Sequence, residues 1–144
     1  MIPGEFIEFA QTLAVSRHPS AANCRSSVSR AYYGAFLSVR DWIESDLGIR
    51  CRAGGSEHFY VQRLLIHSGA VEAAQLGRLL QNLQESRTEA DYEMKSRNQD
   101  QPAAARTAVE RAKEILSRLV LCQRSPLRDR ILGGMLEYKR KIGG

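Results

Sequence analysis

A chain of 144 residues with 43% hydrophobic content is long enough for one domain with its own core and too short for two comfortable ones. No apolar run approaches the roughly 20 residues that cross a bilayer, the start Met-Ile-Pro-Gly-Glu is unlike a secretory signal, and Cys24, Cys51 and Cys122 lack metal-site spacing. The expectation is therefore a cytoplasmic protein with reduced thiols, no membrane partner and no metal or other cofactor. The net charge of +5 sits mostly at one end: residues 123–144 carry six basic and two acidic side chains, leaving +1 for residues 1–122. That tail either contacts RNA or an acidic partner or serves only to keep the chain in solution.

In chain order, Pro3 suits a first helical turn, and Phe6, Phe9, Ala10 and Leu13 predict a short amphipathic helix over roughly 3–16. After Arg17-His18-Pro19, Ser20 caps a long second helix with the stripe Val28, Ala31, Tyr32, Ala35, Phe36, Val39 and Ile43, stopped at Gly48. Residues 47–56 read as a loop, and Phe59, Tyr60, Leu64 and Leu65 as a third, shorter helix ending at His67-Ser68-Gly69. A fourth helix is predicted over 71–96 and a fifth over 103–123, with a break at Asn98 to Pro102 between them. Short loops and the absence of strand patterns predict an all-α, up-and-down antiparallel bundle of four main helices plus a short one. The bundle spans 1–124, and the basic segment 125–144 follows, where Leu127, Ile131, Leu132, Met135 and Leu136 have the spacing of one more amphipathic helix.

The fourth helix carries the feature most informative about function. Leu76, Leu80, Leu83, Arg87, Ala90 and Met94 share one face, so Arg87 falls on an apolar stripe. A guanidinium keeps its charge, and removing its water is costly unless carboxylates, phosphates or ordered water replace that water. Arg87 is thus expected to point into a polar cleft shared with Asp91 and Tyr92, four and five residues on. The plain alternative is an arginine that seals the end of the core, paired with Asp91 or another acid.

Other chemistries find little support. There is no phosphate-cradling glycine loop after a strand, no His-Glu-x-x-His pattern and no pair of Glu-x-x-His motifs. His18, His58 and His67 are scattered near helix ends, with His58 the best placed for a functional role. On the second helix Arg25 and Arg30 flank three serines and precede Tyr32, Tyr33 and Phe36, and arginines beside aromatic rings are one recipe for RNA contact. Against that, Tyr32 and Phe36 at i and i+4 read as core, with Tyr33 half exposed beside them.

Taken together, Arg25-Ser-Ser-Val-Ser-Arg30-Ala-Tyr-Tyr-Gly-Ala-Phe36, Glu57-His58-Phe59, Leu76-Gly-Arg-Leu-Leu80 and Arg87-Thr-Glu-Ala-Asp-Tyr92 resemble the HEPN family (higher eukaryotes and prokaryotes nucleotide-binding), in its small stand-alone prokaryotic branch. The resemblance covers roughly residues 3–122. It implies a helical homodimer, in many members a metal-independent ribonuclease acting as toxin, defence effector or processing enzyme, with RNA as substrate and often a nucleotidyltransferase antitoxin as partner. The family motif is Arg, four to six residues, then His; Arg87 matches the Arg, but Tyr92 stands where a His is expected. In some members a partner adenylylates a tyrosine two residues beyond that His, and Met94 holds the corresponding position here.

The resemblance implies Arg87, Asp91 and Tyr92 as the catalytic group and Arg25, Arg30, Tyr33 and His58 as contacts to RNA or a nucleotide. Because the His is missing, a second reading is a non-catalytic HEPN module that binds a nucleotide or a nucleotidyltransferase. A third is a purely structural adaptor.

Overall fold

A computed structural model describes residues 2–15, 20–51 and 56–143. They form six α-helices, with no strand among the described residues: α1 (Pro3–Ala14), α2 (Ala21–Asp41), α3 (Glu57–Ile66), α4 (Val71–Tyr92), α5 (Pro102–Cys122) and α6 (Leu127–Lys141). The all-α expectation holds, but there are six substantial helices in place of four main ones and a short one. The basic tail supplies the sixth, because Ile131 and Met135, one turn apart, are both fully buried. No described helix is long and apolar enough to cross a membrane.

The chain divides into two compact units, Met1–Ser38 with Asn82–Glu114, and Val39–Gln81 with Ile115–Gly144. In the first unit α1 lies on α2 where the chain lacks a side chain: a Cβ on Gly34 would stand 2.5 Å from Ile7 Cγ1. The buried Ser27 hydroxyl fixes the contact by donating to the Ala10 carbonyl at 2.7 Å. This close approach turns Ile7, Ala10 and Ala14 inward and leaves Phe9, expected on the apolar stripe, 52% exposed. Ser20 caps α2 as expected, accepting from the Asn23 N–H at 3.1 Å.

In the second unit the end of α2 widens into a π-helical turn, Trp42–Asp46, before Gly48 stops it with φ of 71°. The predicted single helix up to Gly48 is thus two kinds of helix. The Trp42 indole is buried and donates to Asp46 Oδ2 at 3.0 Å. Asp46 in turn receives Arg128 of α6, whose Nε lies 3.1 Å from Oδ2 and whose Nη2 donates to the Asp46 carbonyl at 2.9 Å. Helix α3 packs against α4 at Gly77, where a Cβ would meet Ile66 Cγ1 at 2.8 Å. Helix α6 packs against α3, with Gly134 directly over the Ser68 backbone.

Candidate functional site

Helices α2 and α4 bring the site residues together within the first unit. On α2, Ser29 and Tyr33 lie one turn apart; on α4, so do Arg87 and Asp91. Arg87 does lie on a buried stripe, since Leu76, Leu80, Leu83 and Ala90 are all core. Its side chain is only 13% exposed, so its charge needs partners at hand. Asp91 Oδ2 is 3.0 Å from Arg87 Nε, an ion-pair distance, although the Nε–H makes no hydrogen bond. Arg87 Nη2 donates to the phenol oxygen of Tyr33. Ser29 Oγ donates to Asp91 Oδ2 at 3.2 Å and fixes the carboxylate.

Three aromatic rings surround the guanidinium, with its carbon 4.9 Å from the Tyr33 centroid, 5.5 Å from Tyr92 and 6.0 Å from Tyr32. Cation–π attraction supplements the ion pair where water is scarce. Tyr32 is fully buried, stacks on Phe36 at 5.8 Å and meets Tyr33 edge to face at 5.6 Å. Tyr92 is 68% exposed and forms the outer wall. The group is a charged guanidinium held between a buried aromatic floor and a solvent-facing phenol, with one carboxylate beside it.

Four of the seven predicted site residues therefore meet: Arg87, Asp91, Tyr92 and Tyr33. Ser29 and Tyr32 join them; Tyr32 is core, as its place on the α2 stripe predicts, and its contact with Arg87 adds to that role.

The remaining three lie elsewhere. Arg25 turns to the end of α4: Nε meets Asp100 at 2.5 Å, Nη1 donates to the carbonyls of Glu89 and Ala90 at 3.3 and 2.9 Å, and Nη2 donates to those of Glu93 and Ser96. Arg30 is exposed and lies over the Phe6 ring at 5.9 Å. His58 is on α3, in the second unit, half-buried. Of the other histidines, His67 stacks on Tyr138 at 4.7 Å, and His18 falls outside the described residues.

The clamp by Arg25 also explains where α4 ends. The predicted helix over 71–96 stops at Tyr92, and Met94, expected on its stripe, is 67% exposed in the turn beyond. Ser96 reinforces the stop, since its hydroxyl donates to Glu89. This hydrogen bond is the main reason the Glu89 carboxyl is held below its ordinary range.

The three thiols are free and buried. Burial pushes Cys51 up to about 12 and Cys122 up to about 11, and raises Cys24, so all three are neutral at physiological pH. Among the described residues no three His, Cys, Asp or Glu side chains gather as a metal-binding cluster. Compared with family models, curated proteins and solved structures, the chain finds no match.

Proposed function

We propose that this chain is a HEPN-type, metal-independent endoribonuclease, the toxin or effector of a prokaryotic toxin-antitoxin or defence system. In this reading it is cytoplasmic, an up-and-down antiparallel bundle that forms a homodimer and is restrained by a nucleotidyltransferase antitoxin. The observation that carries the reading is the half-enclosed Arg87 guanidinium, with Asp91 beside it and the exposed phenol of Tyr92 over it.

The chemistry asked of these groups is attack of a ribose 2′-hydroxyl on the adjacent phosphorus, with departure of the 5′-oxygen and formation of a 2′,3′-cyclic phosphate. Arg87 stabilises the negative charge that develops on the non-bridging oxygens. Asp91, fixed by Ser29, accepts the 2′-hydroxyl proton, and Tyr92 donates a proton to the leaving oxygen. Tyr33 accepts a hydrogen bond from Arg87 and sets the plane of the guanidinium. Dimerisation brings two such groups into one assembly and raises the local positive charge.

One observation favours the second reading, a non-catalytic HEPN module that binds a nucleotide or a nucleotidyltransferase. The position five residues after Arg87 holds Tyr92 and not a histidine, so the base that the family motif supplies is missing. The experiment that separates the readings follows RNA integrity in bacterial cells after induction of the wild-type chain and of Arg87→Ala at matched levels of folded protein. The nuclease reading expects fragmentation with wild type only. Fragmentation by both would move the chemistry away from Arg87, and intact RNA with both, from folded protein free of any inhibiting partner, would select the binding module.

A further inference from the structure

Helix α3 presents Phe59, Tyr60 and Arg63, spaced with its N-terminal flanking residue Ser56 to share one face, and Tyr138 of α6 and Ile142 just past its end stand one turn apart. Together they line a pocket of about 270 Å³ within the second unit. Three of its six lining residues are aromatic. Phe59 keeps 56% of its surface in water, an exposure unusual for a phenylalanine and one that a ring stacked on it would relieve. Tyr138 has its own ring braced by His67, parallel to within 12°.

The pocket is also cationic. Its one charged lining residue is Arg63, whose guanidinium has no carboxylate or other acceptor among the described residues; Lys139 and Lys141, in the last turn of α6 and outside the lining, are likewise without one. The acids nearest in sequence are already neutralised: Glu57 binds Arg40 at 2.5 Å, and Glu137 is paired with Arg140. Aromatic faces beside uncompensated cations select a planar ring that carries an anion. The pocket volume has room for one nucleobase with its phosphate and little more.

We infer that this α3–α6 pocket binds the base and phosphate of a nucleotide, stacking the base on Phe59 and Tyr138 and holding the phosphate with Arg63. A free mononucleotide and one unit of single-stranded RNA share this chemistry. In the second case Lys139 and Lys141 take the phosphates that follow. The inference stands on residues separate from the Arg87 group and holds whether or not that group cleaves RNA.

The test uses a short, fluorescein-labelled 2′-O-methyl oligoadenylate, whose blocked 2′-oxygen prevents cleavage, read by fluorescence anisotropy with adenosine 5′-monophosphate as competitor. Phe59→Ala is expected to weaken binding of the oligonucleotide about tenfold, the scale of one lost stacking partner. Arg63→Ala is expected to flatten the slope of log affinity against log salt by about 0.7, the loss of one phosphate contact on a single strand. Both positions are exposed, so unchanged thermal melting of the variants is the check that the fold survives.

Displacement by the monophosphate at micromolar concentration identifies a mononucleotide site, and its failure to displace identifies a site for the strand. Wild-type affinity in both variants, or no binding of either probe by the wild type, overturns the inference.

Discussion

Arg25 uses all five of its guanidinium N–H donors at one place, four on backbone carbonyls at the end of α4 and one on Asp100, and its side chain is 12% exposed. Arg25→Ala strands those carbonyls and an acid, and is expected to cost about 2–4 kcal/mol in chemical denaturation, with the earliest loss of amide protection at 89–96. Arg25→Lys keeps the charge but loses the planar fork, and is expected to recover less than half of that cost. At this scale the sequence is a partial guide. Arg87 with Asp91 is legible because both lie on one helix, at a spacing geometry dictates. The partnership of Arg87 with Tyr33 crosses between helices and depends on their packing. Arg25 reads as a phosphate holder for the same reason: beside serines at the start of α2, nothing in its neighbourhood announces that carbonyls from α4 converge on it.

Among the elements, α6 offers a matched pair of adjacent glycines. A Cβ on Gly134 would run into the Ser68 backbone, which cannot swing aside like a side chain, whereas a Cβ on Gly133 meets nothing within 4 Å. Gly134→Ala is therefore expected to destabilise by about 1–3 kcal/mol, and Gly133→Ala to stabilise by about 0.5–1 kcal/mol through helix propensity, both read as shifts of the urea midpoint. Opposite signs at neighbouring positions test whether α6 sits on α3 as described. Helix existence was legible from periodicity and helix faces less so. On α1, Phe6, Phe9 and Ile7 are all apolar, and only the absence of a side chain at Gly34 decides that Ile7 goes in. The π-helical end of α2 left no mark in the pattern, where Val39 and Ile43 continue the α-helical spacing and both are buried.

For the whole molecule, stability is expected to be level between about pH 5 and pH 9 and to fall on both sides. On the acid side, Asp46 is held below its ordinary 3.8 first by the hydrogen bond from Arg128, and Glu89 below 4.5 first by that from Ser96. A carboxyl depressed in the folded state contributes stability above its unfolded value and loses it as pH falls through the folded one. On the alkaline side, Cys51 at about 12 and Cys122 at about 11 stay protonated when folded, while unfolded thiols ionise near 9.0. Their contribution is complete below that value and disappears as pH rises toward 11 and 12. Thermal melting across pH is expected to show a shallower acid limb in Asp46→Asn and a shallower alkaline limb in Cys51→Ala.

Helices α2, α4 and α5 each begin in one compact unit and end in the other, with the changeovers at Ser38, Gln81 and Glu114. A chain cut short after Ser38 or Gln81 loses residues of both units, one cut short after Glu114 loses residues of the second alone, and no contiguous stretch of the gene encodes either unit by itself. Neither unit is therefore available as a cassette: it cannot be exchanged, duplicated or fused elsewhere by a single recombination event, and mutations that act on one are inherited together with the other.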